Sequence, residues 1–332
     1  TGTLSSADGN TGVGTGVLAA LTTGDNNVAV GFESLKVNTT GGSNVAVGRR
    51  TLDANISGSF NTAIGDNSLT SLTTASNITA VGVCALNDLT TGSNNVAMGT
   101  EAGANITTGS NNVGIGNYSL YCTTDAIGNT ALGSASAAKN ITGDYNVAIG
   151  QTALCTNTAG SNNVAVGREA LKANTASDNT AVGFNALTAN TTGASNTAMG
   201  HSALTTNTTG ACNTAVGTDA LKANTTASAN TAMGYQALCN NTVGCQNTAY
   251  GFKAGFAITT GDFNTNVGLI AGNALTTGNN NILLGYNSQS TSVSVSDEIT
   301  LGNGDNDNLR CADTSISTLS DLRDKTNVED IP

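Results

Sequence analysis

The chain has 332 residues, of which only 10% are charged and 4% aromatic, with 41 Gly, one Pro, no Trp and a net charge of −11. That balance argues against nucleic acid and anionic membrane as partners. No apolar run approaches the ~18 residues of a membrane span, and neither an initiating Met nor a signal peptide opens the chain. A length of this order would ordinarily suggest two domains, but an internal period overrides that expectation.

Thr1 to Asn10 leads directly into the first repeat, so the sequence reads as a piece of a longer protein. From there one glycine recurs eighteen times, from Gly14, Gly31 and Gly48 through to Gly285 and Gly302, in steps of 17 except for a step of 16 between Gly167 and Gly183. A fixed period of this size is the mark of a solenoid. Taking the glycine as position 0, position −3 is β-branched in all eighteen units, −1 is Val, Ile, Leu or Met in all but Tyr250, and −2 is Ala in thirteen. Side chains alternate along an extended segment, so −3 and −1 share one face and −2 occupies the other. The glycine then turns the chain. Which face lies inside the coil is left open by the pattern.

A second short segment follows, with a small residue at +3 and Leu at +4 in twelve of seventeen units, as in Leu35, Leu171 and Leu221. A polar stretch such as Asn190 to Gly193 closes the unit with turn chemistry. The one-residue deletion falls in this stretch, between Asn174 and Asn179, as expected of a loop. Helix is excluded by Gly and Asn twice per unit and by the crowd of β-branched residues. The pattern therefore predicts an all-β, parallel β-solenoid (a β-roll) of about 17-residue coils, roughly 80 Å long at ~4.8 Å per coil. Asn at −4 in sixteen units, all but Ile78 and Glu298, reads as a structural amide ladder. A coil this small encloses a thin core, which accounts for the scarcity of aromatics. It also leaves apolar stripes uncovered, for which three-fold association into a homotrimeric rod is the natural solution.

The seven cysteines fit no metal-ligand spacing and read as small buried hydrophobes. A local Cys239–Cys245 bridge or one between neighbouring coils stays open. The lone His201 reads as a solvated side chain, and the Asn-x-Thr sequons at Asn38 and Asn190 follow from repeat composition rather than from glycosylation. No cofactor or metal is expected. From about Leu269 the pattern drifts. Gly255, Gly272 and Gln289 replace Leu, and Ser290 to Ser296 runs without glycine, which reads as a cap or a change of architecture. The expected organisation is a repeat rod over 1–290, a capping or connecting β segment over 291–320 and the start of another domain over 321–332.

Two stretches carry resemblances. The unit Asn-Thr-Ala-Val-Gly-x-x-Ala-Leu, as at Asn213 to Leu221, resembles the head repeat of trimeric autotransporter adhesins. That resemblance implies a trimeric, left-handed parallel β-roll, with the Asn-Thr-Thr-Gly turn as an insertion relative to the usual shorter repeat. The tail from Leu309 to Ile331 resembles the junction before the endosialidase-type intramolecular chaperone (peptidase S74-like) of phage tail fibres and tailspikes, with Ser320, Asp321, Arg323 and Lys325 completing a Ser-Asp-x-Arg-x-Lys pattern. The resemblance implies trimerisation by the chaperone and a single-turnover self-cleavage between Ser320 and Asp321, assisted by Lys325. The bulk of such a domain is not in the 332 residues. Beyond that junction the chain is not expected to be an enzyme.

The function expected from these signals is a phage tail fibre: a homotrimeric virion rod, extracellular, joined to other virion proteins upstream and directed at a host cell-surface glycan or protein. The alternative is a bacterial trimeric adhesin head or another extracellular β-solenoid filament. An ice-binding solenoid would need a Thr-x-Thr row, but the Thr row at −3 from Thr180 to Thr265 has no second Thr two residues away in any coil. A polysaccharide-degrading spike would need paired carboxylates, whereas Asp53, Glu101, Asp178 and Asp219 are scattered. Receptor-contact candidates are departures from the consensus: Arg49, Arg50, Tyr118, Tyr121 and Phe252.

Overall fold

The computed structural model describes residues 7–305, which form a single parallel sheet of eighteen three-residue strands, from β1 (Thr11–Val13) to β18 (Ile299–Leu301). Each strand occupies positions −3 to −1 of one repeat and pairs in register with the next. Thr214, Ala215 and Val216, for example, sit beside Thr231, Ala232 and Met233. The rest of each coil is a chain of turns, so the segment after the glycine is not a second strand. The chain is thus a β-solenoid with one strand per coil, and its described residues 291–305 continue the same pattern. The backbone N–H groups of Thr276 and Asn279 still donate to the Val293 carbonyl and the Ser296 hydroxyl, and Gly302 N–H donates to Leu284.

The core is settled by size. Ala at −2 points into the coil and is fully buried, as at Ala165, Ala181 and Ala215, whereas −3 and −1 project outward and remain half-exposed. Facing the Ala row are the small residues at +3 and the Leu row at +4, including Leu171, Leu187 and Leu221, all fully buried. These leucines sit in left-handed backbone, with φ of 49° at Leu221 and 51° at Leu187. A leucine there is strained, and it persists because burying the side chain outweighs a strain of about 1–3 kcal/mol. Positions +2 and −5 are left-handed as well, for example Asp219 at 58° and Ser195 at 58°. Where +4 is Gly, the volume is refilled from elsewhere. A Cβ on Gly103 would meet Ile106 Cδ1 at 3.0 Å, and one on Gly255 would meet Ile258 Cδ1 at 3.2 Å.

Polar ladders lace the coils together. Each −4 Asn accepts the backbone N–H of its successor and donates across its own coil to the carbonyl at +10: Asn230 N–H donates to Asn213 Oδ1 at 3.0 Å, and Asn213 Nδ2 donates to Ala227 O at 2.8 Å. This row is structural and buried, as the repeat composition implies. A second amide row runs at +7, where Asn207 Nδ2 donates to Asn190 Oδ1 at 2.8 Å. Serines at −6 form a third row of opposite polarity, in which Ser59 N–H donates forward to Ser76 Oγ at 3.0 Å. Threonines at +8 form a fourth, with Thr208 Oγ1 donating to Thr225 O at 3.0 Å. The deleted residue is +9, the one between these rungs. Thr175 Oγ1 still donates to Thr191 O, Ser177 Oγ still accepts from Ser161 N–H, and Asn179 N–H still reaches Asn163 Oδ1.

Glu298 stands where the −4 Asn row ends. Its carboxylate accepts from the Thr291 hydroxyl and backbone N–H and from the Thr300 hydroxyl, and the Thr291 hydroxyl is the main reason its pKa lies below the ordinary carboxylate value. A depressed carboxylate contributes stability that is complete above its unfolded pKa and is lost as pH falls through the folded one. Acidification is therefore expected to loosen the Thr291 turn before the rest of the rod. Amide exchange at Thr291 that rises below the carboxylate range in the native protein, but is pH-independent in Glu298→Gln beyond intrinsic chemistry, is the expected result.

Candidate functional site

With the core facing inward, the surfaces left for function are the outer rows. The −3 and −1 residues form a strip along the whole described rod. At −1 it is Val, Ile, Leu or Met in every coil but that of Tyr250, from Val13 through Ile64, Met98, Leu132 and Met233 to Leu301, with no charge anywhere along it. Several of these side chains are more than a third exposed, among them Met199 at 45% and Tyr250 at 56%. Exposed apolar patches of this continuity are rare on single soluble chains. At −3 the strip mixes Val and Thr up to Val164, as at Val28, Thr62, Thr130 and Val147, and is Thr in every coil from Thr180 to Thr265. Beside it, a shallow 390 Å³ hollow is lined by Val216, Met233, Gly234, Tyr250 and Gly251.

Position +1 begins the neighbouring face. In most coils it is polar or charged, but in four successive coils it is Tyr235, Phe252, Leu269 and Tyr286, all exposed. Tyr235 and Phe252 stack with centroids 5.2 Å apart, and the Lys253 ammonium lies over the Phe252 and Phe256 rings. Coil-to-coil register forces this stacking, because identical positions lie one above another. His201 is likewise stacked on Phe184, at 5.3 Å, with Arg168 over the same ring. His201 is exposed, in keeping with its reading as a solvated side chain.

The remaining candidates separate. Arg49 is exposed and pairs with Asp66, and Arg50 pairs with Glu33. Lys36 bonds Glu33 and is the main cause of that carboxyl's lowered pKa. Tyr118 and Tyr121 meet edge to face at 5.4 Å, far along the chain from Phe252. Among the candidates the structure brings Tyr118 and Tyr121 into contact, while Phe252 stacks instead on Tyr235, which the period of 17 places in register with it.

Of the six cysteines among the described residues, only Cys239 is buried, Cys212 is exposed and all are unpaired. Most sit at outward loop positions, which a reading by residue type alone misses. Burial is the main cause that raises the thiol pKa of Cys84, Cys155 and Cys239. Asn38 and Asn190 of the sequons are fully buried members of the +7 row, so the folded rod offers neither for glycosylation. Among the described residues no group of three or more His, Cys, Asp or Glu is placed to hold a metal ion, and no helix is long and apolar enough to cross a membrane. Ser320, Asp321, Arg323, Lys325 and Cys311 lie outside the described residues. No protein-family model matches this chain, and no match was found among curated proteins.

Proposed function

We propose that this chain is the shaft of a structural fibre, a homotrimeric rod of the phage tail-fibre kind that holds a receptor-binding surface against a host cell. The observation that carries the reading is the uncharged apolar strip at −1, running unbroken along the rod. A partner covering it over so many coils must share its period, and a second copy of this chain has that period by construction. Copies packed in parallel about a three-fold axis would bury the strip on every subunit equivalently. The tail resemblance at Ser320, Asp321 and Lys325 supports the same reading, since it implies trimerisation and self-release through a chaperone domain. On this reading the exposed row Tyr235, Phe252, Leu269 and Tyr286, together with Lys253, is the receptor-contact surface, since aromatic side chains held rigid by stacking are well suited to binding.

The test is mass in solution, by light scattering, of the chain expressed with its native downstream sequence. A trimer whose subunits end at Ser320 is expected, and an uncut monomer would overturn the proposal. Val164 is half-buried on the outward strip of one chain. Val164→Asp is therefore expected to leave the coil folded by circular dichroism but to abolish the trimer. A soluble, full-length trimer from this variant would remove the strip from the interface.

A further inference from the structure

We infer that the rod carries a built-in seam at Asn266, beyond which the last described coils open and reclose separately from the body of the rod. Three features converge there. The +7 amide ladder stops: Asn241 Nδ2 donates to Asn224 Oδ1 and Gly244 O, but Asn241 Oδ1 has no partner because Ile258 follows in the row. The core also inverts. Gly255 and Gly272 replace the +4 leucines, and the larger side chains move to −2, as Asn266 and Leu283. A Cβ on Gly255 would lie 3.2 Å from Asn266 Nδ2, and one on Gly272 would lie 2.8 Å from its Cγ, so the amide fills the space the leucines vacate.

The third feature is the amide itself. Asn266 is fully buried, and neither Oδ1 nor Nδ2 has a hydrogen-bond partner. Leu283, one coil later, solves the same packing problem with an apolar side chain of similar shape. A buried amide without partners loses its hydrogen bonds to water and gains none in return. Opening the coil restores them, so local opening is easiest here. In a solenoid each coil is held only by its neighbours, and one weak junction divides the rod into units of different stability. The coils just N-terminal to the seam, through Asn190, Asn207 and Asn224, keep the Leu row and both amide ladders, unlike the earlier coils where Leu72, Leu89 and Ile106 break the +7 row and Gly103 the Leu row. The seam leaves the far coils exchangeable while the body stays locked.

Amide hydrogen exchange along the full chain tests this. Residues 258–302 are expected to exchange together and at least about tenfold faster than residues 180–247. Asn266→Leu, which removes the orphan amide at nearly constant shape, is expected to slow exchange of 258–302 by about tenfold. Asn266→Ala removes the amide but leaves a hole, and is expected to slow it less. Slowing in either variant supports the seam. Uniform exchange along the native rod, or no slowing in both variants, would overturn it.

Discussion

Gly217→Val is expected to abolish the folded rod or to cost it at least ~4 kcal/mol, read as a collapse of the thermal or denaturant midpoint. Gly217 has φ of +134°, and a Cβ there would lie 2.6 Å from the Gly234 carbonyl carbon and closer still to its oxygen. Crowding alone does not decide the outcome. A Cβ on Gly210, at +10, would press on the Ala227 carbonyl oxygen just as closely, yet Ala75, Ala126, Ala176 and Ala227 stand naturally at that same position. What separates the two rows is the backbone. Gly217 lies where L-residues are rarely found, whereas Gly210 has no positive φ. Gly210→Ala is therefore expected to be tolerated within about 1 kcal/mol. Equal damage from both variants would show that steric contact, not φ, fixes the glycine row.

Asn213→Ala is expected to cost about 3 kcal/mol, because the side chain makes several buried hydrogen bonds at once. Its Oδ1 accepts from the N–H and the Nδ2 of Asn230, and its Nδ2 donates to Ala227 O and Asn196 Oδ1. The fold survives one such loss naturally at Ile78, where the backbone N–H still donates to Asn61 Oδ1 at 3.1 Å. Asn213→Asp is expected to be worse than Ala at neutral pH. It retains the acceptor but loses the donor and buries a charge. Burial would raise the pKa of that carboxyl, so the excess damage should be relieved as pH falls and the protonated acid regains a donor. Denaturation midpoints for the two variants at neutral and acid pH measure this directly. An Asp variant at least as stable as Ala at neutral pH would mean that the retained acceptor outweighs the buried charge.

Much of this architecture was legible in the sequence because each feature uses the residue type its chemistry favours. β-Branched residues at −3 mark a strand, an invariant glycine marks a turn, and a repeated Asn marks an amide ladder. The left-handed positions were not legible, because +4 carries Leu, a residue that shuns such backbone. The signal was indirect: Gly103, Gly255 and Gly272 replace that Leu, and Val, Ile and Thr never occur at +4 or −5. The orientation of the strand was also hidden. Alanine and valine are both compatible with an interior, and only the space between Ala215 and Leu221 in three dimensions shows that the smaller residue is the buried one. The −6 ladder was missed because Ser76, Ser93 and Ser110 look like ordinary turn residues until register stacks them. The self-cleavage residues are legible only by resemblance, since Ser320 and Asp321 lie outside the described residues.

Between Asn129 and Asn247 successive coils meet through nearly the same rungs, one junction resembling the next even across the one-residue deletion. Excising or duplicating a whole coil there would recreate a junction the chain already contains. Near-identical repeats in a gene recombine out of register, and here each such event would yield a rod shorter or longer by about 4.8 Å rather than a broken one. Rod length would thus change in unit steps, separable from the side chains that each coil exposes.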